Sequence, residues 1–207
     1  MQIGIHGIPV NLPDEVYRDL KNVALSNYNA NRYEDRYAYY YKHVYTGCVR
    51  AIDLLCSMSI VDSTRIAVTG GSQGGLLSLV VAGLASDHIC CVSTAYPAMS
   101  EVAGSMRGRI DGWPRLFNGN KKVVALEEKI KVSEYYDAVN FARLVKAPML
   151  FIQGFNDRTC PPTTTYSAYN VLDCEKEIVL PKDCAHWLYG ETWNQRRDWL
   201  IEKLNTK

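Results

Sequence analysis

Apolar residues change their period several times along the chain, and each change marks an element. Between Tyr37 and Ser57 the step is three and four: Tyr41, Val44, Tyr45, Cys48, Ala51, Ile52 and Leu55 fall on one stripe. That predicts an amphipathic helix whose tyrosines pack inward. Ile66-Ala67-Val68-Thr69 is a short, partly β-branched run and reads as a buried strand. Leu76 to Ala82 is apolar all round, the pattern of a buried helix. His88–Ala95 and Ala147–Gln153 read as further buried strands, and Lys176–Leu180 as a last one. Helices are predicted over Glu127–Lys131, Ser133–Val145 and Thr163–Leu172, and an amphipathic helix over Thr192–Leu204 closes the pattern. Ser133, with Glu134 and Asp137 behind it, places acid in a first turn, as the helix dipole favours.

The N-terminal part is less regular. Gln2–His6 reads as a short strand broken by Gly7 and Pro9. Asp14 to about Leu25 reads as a helix behind Pro13, and Asn27–Arg36 as a polar surface loop. Met99 to about Ala125, punctuated by Gly104, Gly108, Gly112, Trp113-Pro114 and Gly119, resembles a wall or cap more than core.

Strands alternating with helices predict an α/β layer fold, its sheet mostly parallel, with helices on both faces. In such sheets functional groups gather at the carboxyl ends of the strands. The 207 residues suit a single domain. A formal charge of +1 gives no electrostatic reason to expect nucleic acid or an anionic membrane as partner, and no apolar run reaches membrane-spanning length. Met1–His6 lacks the basic start and apolar core of a signal peptide. Seven cysteines without a C-x-x-C spacing indicate neither a zinc site nor a complete disulfide framework. No metal or organic cofactor is implied.

The chemistry concentrates at Gly70-Gly71-Ser72-Gln73-Gly74-Gly75. A strand, a glycine-flanked serine and then a helix form the layout of a nucleophile elbow. Roughly 0.07 chance G-x-S-x-G matches are expected in a chain of this length, before the strand and helix are required as well. The elbow would lift the Ser72 hydroxyl above the sheet and aim the Gln73 backbone N–H at a developing oxyanion. A phosphate loop is disfavoured, since no Gly-Lys-Ser/Thr follows. Acyl transfer also needs a base and an acid to orient it. Among four histidines, His43 falls in a helix and His88 at a strand start, while His186 lies in a loop after the last strand. Asp157, just past an apolar strand and before Pro161-Pro162, is preferred to Asp173 and Asp183 as the acid. The order Ser72, Asp157, His186 is that of α/β-hydrolases.

At these residues the sequence resembles the acetyl xylan esterase and cephalosporin-C deacetylase family of the α/β-hydrolase superfamily. The resemblance runs from about Tyr37 onward. It is carried by Gly70–Gly75, by Tyr135-Tyr136-Asp137-x-x-Asn140-Phe141-Ala142, by Gly154-x-x-Asp157-x-x-Cys160-Pro161-Pro162-x-Thr164, and by His186. It implies Ser72 as nucleophile, Asp157 as acid, His186 as base and Gln73 N–H as one oxyanion donor. It also implies acetylated sugars or related small acetyl esters as substrates. His6-Gly7-Ile8 stands where the family shows Arg-Gly-Gln, and Trp187 stands where a Glu often follows the histidine. Family members carry strands upstream, so the chain is expected to be the C-terminal part of a longer hydrolase, with a gap in the sheet if Gln2–His6 is a strand. The missing part would supply the second oxyanion donor and any signal for secretion or the periplasm. That part, or an oligomer partner, would fill the gap.

The leading expectation is therefore a serine carboxylesterase acting on acetyl groups of xylan or xylo-oligosaccharides. Trp113 and Trp187 are candidates to line a sugar site, with ordinary packing as the alternative. A prolyl-oligopeptidase-like peptidase shares the triad order, but Gln73 rather than Tyr after the serine speaks against it. A non-catalytic fragment with an incomplete oxyanion hole is the reading from a different class.

Overall fold

The computed structural model describes residues 1–117 and 123–206. Gly119, counted above among the glycines of the wall, lies outside them. The element order is α1 (Asp14–Asn22), α2 (Tyr40–Ser57), β1 (Ile66–Gly71), α3 (Gln73–Leu84), β2 (Ile89–Ala95), α4 (Leu126–Tyr136), α5 (Ala138–Ala142), β3 (Met149–Ile152), α6 (Pro162–Asn170), β4 (Lys176–Val179) and α7 (Gly190–Asn205).

The strands form one parallel sheet in the order β1-β2-β3-β4, so each strand lies beside its predecessor in the chain. Gly71 pairs with Ala95, Ala95 with Ile152 and Ile152 with Val179, so the carboxyl ends of all four strands are level. Everything that leaves those ends emerges at one edge of the sheet. Side chains alternate along β2: Thr94 lies against Gly75 of α3, while Ser93 meets Arg196 of α7. The two helices therefore cover opposite faces. α2 packs on α3, and α5 packs between α3 and α6. One cluster of buried apolar residues runs through all these layers.

β2 is buried at every position, as a central parallel strand should be. β1 is not. Only Ile66 is fully buried and Thr69 is exposed, because β1 is the edge of the sheet among the described residues. The expected strand at Gln2–His6 is absent. Gly7 N–H donates to Gly4 carbonyl, turning the segment back on itself. Ile3 and Ile5 instead lie along a groove of about 430 Å³ shared with Ile52, Ile66 and Leu77. With no strand at Gln2–His6, the gap expected between that strand and β1 does not arise; β1 is unpaired on its outer side among the described residues.

Other boundaries shift for identifiable reasons. α1 stops at Asn22, since Val23 turns out of helical geometry at φ −119°, ψ −84°. Asn27–Arg36 is turns and a short 3₁₀ segment, but it is not all surface. Tyr33 is 2% exposed, packed between Tyr39 and Phe117. The helix predicted over Ser133–Val145 breaks at Asp137. Ser133 lies inside α4, its hydroxyl donating to Ile130 carbonyl, and Asp137 caps α5 by accepting from Val139 N–H. No disulfide joins the cysteines of the described residues. No helix there is long and apolar enough to cross a membrane. Nor do the described residues hold a group of three or more His, Cys, Asp or Glu suited to a metal ion.

Candidate active site

Ser72 is the first residue beyond β1, and its backbone is held at φ 56°, ψ −117°. Three hydrogen bonds hold that turn. Ser72 N–H donates to Ala95 carbonyl at 2.9 Å, and Ser72 carbonyl accepts from Leu76 and Ala98 N–H, each at 3.0 Å. Glycine is required at position 70, where a Cβ would stand 2.0 Å from Gly74 carbonyl oxygen. Gly74 itself has open space around its missing side chain, so the second flank is not crowded.

The next two groups arrive from the loops after β3 and β4. Asp157 is 3% exposed, and its Oδ1 accepts from the N–H groups of Thr159 and Cys160 at 2.8 and 2.9 Å. Its other oxygen lies 2.7 Å from His186 Nδ1, and His186 Nε2 lies 2.9 Å from Ser72 Oγ. With the proton on Nδ1, the imidazole donates to Asp157 and accepts from the Ser72 hydroxyl. The loops can cross because residue 154 is glycine: a Cβ there would meet Ala185 carbonyl oxygen at 2.1 Å. Ser72, Asp157 and His186, drawn from three loops, are thus brought into one hydrogen-bonded series.

Gln73 opens α3, so its N–H is among those with no acceptor inside the helix. Its side chain donates to the hydroxyls of Tyr28 and Tyr41, at 3.0 and 2.7 Å. Tyr41 of α2 therefore does more than fill space. Burial pushes the Tyr41 phenol well above its ordinary pKa, keeping it neutral. Trp113 is half-buried against the core; its carbonyl accepts from Met99 N–H and its N–H donates to Thr159 carbonyl. Trp187 is 46% exposed, with its ring edge-on to Tyr189 at 4.9 Å.

Four supporting residues were given no role at the site from the sequence: Asp137 and Cys160 stood there within the family motifs, and Arg196 and Gln153 carried no signal. Arg196, 6% exposed, donates to the carbonyls of Gly70 and Ser93 at 2.8 Å each and so ties β1 to β2 beneath the elbow. Desolvation pushes its guanidinium down to about 10. Gln153, fully buried, donates to the carbonyls of Gly154 and Cys160 and accepts from Thr165, bracing the Asp157 loop. Cys160, fully buried, accepts at its carbonyl from Gln153 in the Asp157 loop, and burial pushes its thiol up to about 12. Asp137 accepts from the N–H groups of Glu101 and Val102 at 2.9 and 2.7 Å, holding the loop that leaves β2 beside Ser72. Burial, against the pull of those hydrogen bonds, pushes its carboxyl up to about 6.

Known proteins share the sequence and the fold of this chain. Acetyl esterase Axe7A of Xylanibacter ruminicola is 40% identical over 206 residues, which cover 99% of this chain and 46% of that protein. The acetyl xylan esterase from Paenibacillus sp. R4 superposes with a TM-score of 0.74 at 34% identity, over 82% of this chain and 55% of its own. Acetyl xylan esterase 1 from Thermoanaerobacterium sp. JW/SL YS485 shares the fold at a TM-score of 0.75 and 23% identity, over 97% of this chain and 61% of its own. The chain thus spans about half the length of the curated relative it matches. The sheet and its covering helices are those of the α/β-hydrolase fold. Residues 31–203, which hold the elbow, both crossing loops and α7, match the acetyl xylan esterase family model, and the chain belongs to that family.

Proposed function

We propose that this chain is the catalytic part of a serine esterase that removes acetyl groups from acetylated carbohydrate, xylan or its oligosaccharides, through an acyl-enzyme. The observation that carries the reading is the series Ser72 Oγ–His186 Nε2 at 2.9 Å and His186 Nδ1–Asp157 Oδ2 at 2.7 Å. Residues 1–207 act in this reading as one catalytic domain, supported by the apolar core that runs through the described residues.

In the first step Ser72 Oγ bonds to the acetyl carbonyl carbon while its proton passes to His186 Nε2. Asp157, acceptor-only and shielded from water, orients the ring and balances the imidazolium charge. Negative charge gathers on the former carbonyl oxygen, toward the Gln73 N–H. The intermediate collapses, the sugar oxygen leaves with the proton from His186, and Ser72 is left acetylated. Water then attacks the acetyl carbon while His186 takes its proton. Collapse expels Ser72 Oγ, which recovers that proton as acetate is released. Trp187, exposed and next to His186, is the candidate for stacking on a sugar ring. Trp113 reads as a wall residue whose carbonyl and N–H fix the loop around it.

Labelling with a fluorophosphonate and turnover of p-nitrophenyl acetate test the reading. Both are expected in the 207-residue chain, and Ser72→Ala is expected to lose labelling and at least about 10³-fold in kcat. Equal turnover in the two chains would refute it. Acetate release from acetylated xylo-oligosaccharides, set against cleavage of a prolyl amide, tests the substrate class.

A further inference from the structure

Tyr96 leaves the end of β2 with φ at 35°, in the left-handed region that a bulky residue enters only when its surroundings impose it. Its N–H donates across to Ile152 carbonyl of β3 at 2.8 Å. Met99 and Glu101, farther along the same loop, also have positive φ. The ring of Tyr96 is 8% exposed and lies against His186, with centroids 4.5 Å apart and planes inclined at 47°. Gly71 leaves room for it, since a Cβ at that position would come within 3.3 Å of the ring. The charged and titratable groups acting on the phenol are Arg196 from α7 and Asp157 and Cys160 from the loop after β3; burial, joined by Asp157 and Cys160 and opposed only by Arg196, pushes its pKa up, so the ring stays neutral.

We propose that Tyr96 is a positioning residue for His186. Its ring holds the imidazole in the orientation that joins Ser72 to Asp157 and supports the imidazolium formed when Ser72 gives up its proton. An aromatic face attracts a cation within about 6 Å of its centroid. The imidazole becomes a cation only after proton transfer, so the contact strengthens along the reaction and acts on kcat rather than on substrate binding. The strained backbone and the glycine opposite are what place the ring there. This inference rests on the reading of Ser72 as nucleophile and His186 as base.

Tyr96→Leu removes the ring. For p-nitrophenyl acetate, kcat is expected to fall about tenfold with KM held within about twofold. Tyr96→Phe keeps the ring and is expected to recover most of that loss. A Leu variant with the wild-type kcat, or a Phe variant as impaired as Leu, overturns the role. Should Tyr96→Leu lack a folded circular-dichroism signature, Gly71→Ala probes the contact from its other side. The new Cβ must displace the ring, so kcat is expected to drop several-fold with KM kept, and an unchanged kcat overturns the role equally. A wild-type chain that neither hydrolyses the ester nor takes the fluorophosphonate on Ser72 defeats the esterase reading and this inference with it. An active wild type beside variants that break the pattern defeats only the inference.

Discussion

Ser72 sits at φ 56°, ψ −117°, a conformation that costs an L-residue about 1–3 kcal/mol and a glycine very little. The surrounding hydrogen bonds to Ala95, Leu76 and Ala98 hold it there. Ser72→Ala and Ser72→Gly both remove the hydroxyl, so their difference in stability isolates the backbone. Elsewhere glycine in place of alanine destabilises a regular element. Here Ser72→Gly is expected to be more stable than Ser72→Ala by about 1 kcal/mol. Urea midpoints of the two variants check the sign. The serine's place at an elbow was legible because residue 70 had to be glycine, a steric demand that leaves a mark on composition. Arg196 and Gln153 left no such mark. An arginine in the charged run Gln195–Asp198 looks solvated, and only the packing of α7 on β1 and β2 turns it inward.

At the level of elements, the junction of α4 and α5 links stability to pH. Asp137 caps α5 and pins Glu101 and Val102 in the same stroke, at a buried site. Its carboxyl is raised to about 6 from an ordinary 3.8, with burial as the main cause. The folded chain therefore holds this proton at pH values where the unfolded chain has released it. Stability contributed by the group is greatest below about pH 4 and is lost as pH rises through about 6. Relative to Asp137→Asn, which does not titrate, the unfolding free energy of the wild type is expected to decline by about 3 kcal/mol across that window. Denaturant unfolding at pH 4 and pH 7 measures it, and parallel behaviour of the two chains would contradict it. The sequence pattern showed both helices but started the second at Ser133, because Ser with acid behind it satisfies the local rule for a first turn. What decides for Asp137 is a loop 35 residues away whose N–H groups need an acceptor, and no window of local sequence contains that.

For the whole molecule, the alternation of strands and helices was enough to predict the parallel sheet and the order of its loops. It could not say which strand would be the edge. β1 reads as buried because Ile66, Ala67 and Val68 are apolar, yet its partners lie on one side alone among the described residues. Gln2–His6 carries the residues of a strand without the pairing that would make it one. Burial of this kind depends on what stands next to an element, and the chain's own pattern is silent about neighbours. The meeting of Ser72, Asp157 and His186 was legible for the opposite reason. Three level strand ends bring their following loops together whatever the rest of the chain does.

That levelling also has a consequence in time. Each new strand joins beside the one made just before it, so the sheet can grow outward from β1 through short-range crossovers. The bond from His186 to Ser72 spans 114 residues and waits on the last strand and its loop. Closures over longer stretches of chain carry the larger entropy cost and come later. During refolding, reactivity of Ser72 toward a fluorophosphonate is therefore expected to lag the recovery of far-ultraviolet circular dichroism. Simultaneous recovery would mean that the far end of the chain docks before the sheet is built. The serine, made early in the chain, would then report on the arrival of its final fifth.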